Sequence, residues 1–262
     1  VTATSLRFAD AESARFGLRV FRGETDAIDA LALAEALRRD RIDVAILRVP
    51  ARALASLQAL REAGLAPIVA DTIVRYAIDL PSASPLDDVR LIPASADDAA
   101  RLESLTRETF AGYLTHYHAN PRFPAAKILD GYAEWAASHV RDAATGSAAW
   151  LVEWRGEIAG FSCYRVADDG SLAIGVLNGV VPAFRGRGIY RGMLRRMLHE
   201  LAGLGAKRFA IATQVQNVIV QRIWAAEGFR LERAQNTVHV NAPPAFAGPA
   251  GAPGIERAPD PV

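Results

Sequence analysis

Apolar positions in this chain follow two spacings in turn, and the alternation predicts an α/β protein. Residues 5–8 and 17–22 have the short period of strands on either side of DAESARF. Residues 27–40 (AIDALALAEALRRD) repeat at helical spacing and end in a basic pair, as the helix dipole prefers. Residues 43–49 (DVAILRV) then predict a buried strand, 51–63 a helix stopped by Gly64, and 68–80 one or two further strands. PSASPLDD, residues 81–88, packs prolines and turn-formers together and predicts a linker.

The second half begins with a strand at 89–92 and a helix reaching about Phe110, led by the acidic turn ASADD. AGYLTHYHANPRFPAAK follows, too irregular to predict a core element. A helix is expected over 127–139, then strands over 149–154 and 157–166 joined as a hairpin at Arg155-Gly156. Residues 172–181 predict the central strand and 208–214 another. A helix over 218–226 and strands at 229–233 and 237–240 complete the pattern. The domains expected are thus a small α/β unit over 1–88, a larger one over 89–241 and a disordered Pro/Gly-rich tail over 242–262.

Candidate chemistry concentrates after the central strand. Pro182 ends strand pairing, Arg185-Gly-Arg-Gly188 makes a basic turn, and Met193, Leu194, Met197, Leu198 and Leu201 recur at helical spacing. A helix opening there presents N–H groups without acceptors at its positive pole, with Arg185, Arg187 and Arg191 around it. That combination predicts a pyrophosphate cradle. A dinucleotide fingerprint would need glycine where Arg191 stands, and no P-loop string occurs.

The string V-x-P-x-F-R-G-x-G-I resembles motif A of the GNAT acetyltransferases, with Arg185 and Gly188 matching and Tyr190 where the family usually has Gly or Ala. Downstream, Asn217, Val220, Ile223, Gly228 and Phe229 resemble the family's N-x-x-A-x-x-L-Y-x-x-x-G-F, with Trp224 in place of its tyrosine. An indole N–H has no pKa at which it could serve as an acid, so Trp224 is expected to wall the pocket. The strings ATQ before Asn217, GYAEW (residues 131–135) and D-x-E-x-x-x-F-G (residues 10–17) are similar to a subgroup of that family, the dTDP-fucosamine acetyltransferases. The resemblance implies a mixed, splayed central sheet flanked by helices, preceded by a smaller α/β domain. It also implies direct acetyl transfer from acetyl-CoA to a primary amine, that of a nucleotide-linked amino-deoxysugar.

On that reading the cosubstrate lies against Val180, Val181, Arg185, Gly186, Arg187, Gly188, Ile189, Tyr190, Asn217 and Trp224. The N–H groups of Val180 and Val181 would stabilise the thioester oxyanion. Tyr113, Tyr117 and Gln214 are expected on the acceptor side, and His116 or His118 as base, since histidine titrates near neutrality. Tyr113, Tyr117 and Tyr164 are the phenols that could protonate the thiolate. His116 and His118 lack further ligands for a metal, and Cys163 reads as core. Residues 1–88 show no nucleophile or metal cluster and are expected to be structural or to wall the cleft.

Composition narrows the partners. A net charge of +1 and the lack of basic runs interleaved with aromatics exclude nucleic acid. A single cysteine, no apolar signal region in VTATSLRFADAES and no run of about 18 apolar residues predict a cytoplasmic protein without a membrane partner. A small-molecule amine is the expected partner, with a homodimer left open. Another small amine, a protein N-terminus, or CoA binding without catalysis remain the alternative functions.

Overall fold

In the computed structural model, which describes residues 6–80, 88–141 and 146–243, the short-period segments become strands of one sheet. β1 (Arg7–Phe8), α1 (Asp10–Phe16) and β2 (Val20–Glu24) open the chain. DAESARF is the helix between the two strands, with Asp10 and Glu12 in its first turn, where the dipole favours acids. α2 (Ala30–Arg39) starts at Asp29, whose side chain accepts the Ala32 N–H at 3.0 Å. β3 (Val44–Pro50), α3 (Leu54–Glu62) and β4 (Pro67–Asp79) follow, and β4 is a single strand.

β5 (Val89–Pro93), α4 (Ala99–Phe110), α5 (Ala125–Arg141), β6 (Ser147–Trp154) and β7 (Glu157–Val166) come next. β8 (Leu172–Val180), α6 (Ile189–Gly203), β9 (Arg208–Gln214), α7 (Val218–Ala226) and β10 (Arg230–Asn241) complete the fold. The two short strands expected near the end are one. Ala234, Gln235 and Asn236 look like a break, yet all three pair with β4 and the last two with β3 as well, so pairing overrides the local pattern.

The ten strands among the described residues run in the order β1-β2-β3-β10-β4-β9-β8-β7-β6-β5. The β2–β3 and β8–β9 pairs are parallel and the others antiparallel. Most of the expected linker, residues 81–87, and the tail from 244 onward lie outside the described residues. The sheet itself continues across that boundary, because β4 lies between β10 and β9.

Side-chain alternation divides the helices. α2 and α3 bury Leu33, Leu37 and Leu60 against Ala45, Leu47, Val238 and Val240. α6 and α7 cover the same face farther along through Met193, Leu198 and Trp224 against Phe209 and Ile211. Each such side chain contributes about 1.5–3 kcal/mol on burial. The opposite face is covered by α4 and α5 over Leu151, Phe161 and Leu177, and by α1 and α5 over Val20, Val44 and Ile46. No helix among the described residues is long and apolar enough to cross a membrane.

The loop from 111 to 124 departs from expectation. It holds a 3-10 turn over His116–Ala119, and Thr115, His116, Tyr117, Asn120 and Phe123 are buried under the sheet. Its polar groups find partners there: the Asn120 amide donates to Asn241 Oδ1 at 2.8 Å, and Arg122 donates to the Asp43 and Ala242 carbonyls at 3.0 Å each. Burial of an irregular segment is possible because those bonds replace water.

Candidate active site

β8 and β9 pair only from Leu172↔Arg208 to Gly175↔Ile211, then part. A bulge at Val176, between Cys163/Leu177 and Tyr164/Gly175, turns β8 away while β9 stays on β4. The exposure of Ala212, on a strand deep inside the sheet, marks the open V. Val181 N–H donates to the Ala159 carbonyl at 2.9 Å, so it is unavailable to an oxyanion, contrary to expectation. Antiparallel alternation then turns the Val180 N–H the other way, toward the V.

The loop after β8 is shaped as its glycines require. Gly186 and Gly188 both have φ of 77°, the left-handed region, and a Cβ at either would meet nothing within 4 Å. α6 makes its first ladder bond from Gly192 N–H to Gly188 O at 3.1 Å. The N–H groups from Gly186 to Arg191 have no backbone acceptor among the described residues, and the helix dipole adds to them. An anion fits there.

The three arginines divide their work. Arg185 does not point a free guanidinium at the loop: its Nε donates to Val180 O at 3.0 Å and Nη2 to Thr109 O at 2.8 Å, tying β8 to the end of α4. Gly179 allows that approach, since a Cβ there would lie 2.2 Å from Thr109 Cγ2. Arg191 and Arg195 both hold the buried Glu227 carboxylate. Burial would raise the Glu227 pKa, but the two guanidiniums keep it below the ordinary range. Arg187 has no hydrogen bond or ion pair among the described residues and lies 5.3 Å over Trp154 and 5.6 Å over Phe184. It is the arginine left to meet a phosphate.

Trp224 does not wall the V. It is 1% exposed, packs 5.5 Å from Tyr76, and donates from Nε1 to the Tyr190 hydroxyl at 3.2 Å. Burial pushes the Tyr190 phenol up, so neither residue of this pair serves as an acid. Ile189 is likewise core.

At the C-terminal end of β9 the Tyr113 hydroxyl donates to Gln214 Oε1, and Asn217 Nδ2 donates to Thr213 Oγ1 at 3.0 Å. Burial raises the Tyr113 pKa against the pull of Thr213 and Asn217 beside it. Leu114, Val215, Val218 and Ile219 are exposed around this mouth. Tyr113, Gln214 and Asn217 therefore come together at this end of β9.

Other candidates lie elsewhere. Tyr117 is buried, donating to Glu12 and accepting from Arg22 at 2.8 Å. His116 hydrogen-bonds His239 across 2.9 Å, and burial first, then Arg22, keeps its pKa well below 6.5. His118 turns its Nδ1 back to the Thr115 N–H at 3.0 Å. Tyr164 stacks on Trp150 at 4.0 Å, and Cys163 is fully buried with its thiol pKa pushed up.

Sequence reasoning passed over the floor beside this mouth. Glu24, Arg48, Thr237 and Asp71 stand opposite one another on β2, β3, β10 and β4, on the face covered by α1 and α5. Both Asp71 oxygens and Thr237 Oγ1 are buried without a hydrogen bond among the described residues. The available signal was a lone acid inside PIVADTIVRY and a lone base inside AILRV, charges where a buried strand has no use for them.

Residues 107–229 match the family model described as acetyltransferase (GNAT) family. A GCN5-related N-acetyltransferase from Sphaerobacter thermophilus aligns at TM-score 0.59 and 13% identity over 91% of this chain and 75% of its own. A GCN5-related N-acetyltransferase from Kribbella flavida aligns at 0.57 and 14%, covering 92% and 88% respectively. A tandem GNAT protein from the clavulanic acid biosynthesis pathway aligns at 0.58 and 12%, covering 87% and 77%. At these identities the structural likenesses speak for the fold. No curated protein matches the chain. Residues 107–229 thus resemble the GNAT acetyltransferases in sequence, and the chain around them shares the fold of these neighbours. The family uses acetyl-CoA as cosubstrate.

Proposed function

We propose that this enzyme transfers the acetyl group of acetyl-CoA directly to the primary amine of a small molecule, a nucleotide-linked amino-deoxysugar being the acceptor that the sequence favours. The observation carrying the reading is the parted end of β8 and β9 beside the unbonded N–H groups from Gly186 to Arg191. The pyrophosphate of CoA takes those donors and Arg187, and the pantetheine arm runs past Asn217 along the apolar mouth. The thioester oxygen meets the Val180 N–H. A neutral amine attacks the carbonyl carbon, the C–N bond forms, the C–S bond breaks, and sulfur leaves with the electron pair. Thiols titrate near pH 8.5, so the thiolate is a tolerable leaving group, and the Tyr113 hydroxyl at the end of β9 is the proton donor that this reading assigns to it.

The chemistry calls on no metal, and the lone buried Cys163 suits a cytoplasmic setting. The mutual bond of Tyr190 and Trp224 favours catalysis over a CoA-binding scaffold, because two departures from the family pattern act as one packing pair and not as a lost acid. Calorimetry with acetyl-CoA, followed by thiol release with free and nucleotide-linked amino sugars, tests this. We expect micromolar-range cosubstrate binding, about −8 kcal/mol, and turnover of amines; a folded protein that binds no acetyl-CoA overturns the reading.

A further inference from the structure

Beside the V, the floor of the sheet holds a cation and an anion that do not meet. Arg48 and Asp71 lie two strands apart with Thr237 between them, which sets their Cα atoms about 10 Å apart. Among the described residues Arg48 makes no hydrogen bond and no ion pair within 4.0 Å, and neither Asp71 oxygen has a donor. Thr237 Oγ1 stands beside Asp71, close enough to pull its pKa down, yet outside hydrogen-bonding geometry. Elsewhere on this face the charges are satisfied: Glu12 with Arg22, and Glu24 with Arg233 and Gln235. A fold that pairs the neighbours, leaves the Asp71 oxygens and Thr237 Oγ1 buried without a bond and leaves Arg48 half-buried beside them keeps these groups for something absent.

Their position fits an acceptor. Ile73 pairs with Gln214, the last residue of β9, and Asp71 is two residues farther along β4. Strand geometry sets Asp71 about 8 Å from Gln214, at the edge of the V where Tyr113 stands. Tyr113 and Tyr132 line a cavity of about 200 Å³ with Leu114, Thr115, His118 and Leu129. Burial raises both phenols, and the Asp71 charge adds to the rise.

Resting on the acetyl-CoA transfer reading above, we propose that Asp71 and Arg48 hold the acceptor: the carboxylate takes its ammonium group, and the guanidinium takes an anionic group, carboxylate or phosphate, on the same molecule. The ammonium gives one proton to Asp71 and becomes nucleophilic. The nitrogen pair forms the C–N bond as the C–S bond breaks, and the second nitrogen proton ends on the CoA sulfur. Burial raises the Asp71 pKa against the pull of Thr237, Arg48 and Arg22, as a proton acceptor needs.

The test uses the full chain and thiol release from acetyl-CoA with matched amines. One arm pairs α-amino acids with their amides, a second pairs glucosamine 6-phosphate with glucosamine, and a third adds nucleotide-linked amino sugars. We expect at least one anionic class to exceed its neutral counterpart about tenfold or more in kcat/KM, the arm naming carboxylate or phosphate. Arg48→Met should erase that preference through KM, and Asp71→Asn should lower kcat about 100-fold. Both variants should keep acetyl-CoA affinity, and the unliganded Tm of each should hold or rise because an unpaired buried charge has gone. Equal use of neutral and anionic amines, no turnover of any anionic amine, wild-type kcat in Asp71→Asn, or a lowered Tm in both variants overturns the proposal. Acetyl-CoA calorimetry on the wild type separates its failure from failure of the transfer reading.

Discussion

Replacing the Trp224 indole by a smaller ring strands the Tyr190 hydroxyl, whose described donor is that indole N–H. We expect Trp224→Phe to lose about 1–3 kcal/mol of stability from the unmet hydroxyl, with a further cost for the space left among Tyr76 and Phe229. Tyr190→Phe removes the other half of the bond, and urea unfolding of the double variant should show coupling of about 0.5–3 kcal/mol. Turnover per folded enzyme should stay within about threefold in all three, since an acid–base role would be worth at least about 100-fold. The sequence marked both positions as departures but could not show that they meet, because they sit on α6 and α7. The same limit applies to His116, which looks like a loop base in one dimension and is neutral and buried beside His239 in three.

The elements themselves were largely legible. Both β9 and α7 fall at the residues where their periodicity predicts them, and the Arg155-Gly156 hairpin closes with Trp154 opposite Glu157. The basic glycine loop was legible too, because glycine at positive φ and a helix start leave local marks. What could not be read was the use of each arginine, which depends on carbonyls and acids brought from α4 and α7. Arg185→Ala shows the consequence: without the bonds to Val180 O and Thr109 O, the loop loses its tie to both β8 and α4. Stability should fall by about 1.5–3 kcal/mol, the range for bonds from a charged group, and acetyl-CoA affinity should fall with the loss of the loop's shape. Unchanged affinity by calorimetry, in a variant that keeps its fold, would remove Arg185 from the cradle.

Across the whole molecule the buried histidines set a response to acid. Burial, reinforced by Arg22, lowers His239 to about 4, and His116 is shifted the same way. Folded histidine stays neutral where the unfolded chain takes up a proton, so stability falls as pH drops from about 6.5 to 4, by up to about 1.4 kcal/mol per pH unit for each group. Asp71, shifted upward, works in the opposite direction near the ordinary carboxylate range. Urea unfolding at pH 7, 5.5 and 4.5 should show this slope in the wild type and a shallower one in His239→Gln; equal slopes would assign the acid response to other groups. The placement of β10 carries the last consequence. It is the last of the described strands to be made, yet it belongs between β3 and β4, which do not touch each other without it. A nascent chain therefore carries the first four strands with two facing edges unfilled while roughly 160 residues are added, on the order of ten to thirty seconds of synthesis. Such edges invite wrong partners, and until residue 241 leaves the ribosome the Arg48–Thr237–Asp71 row does not exist.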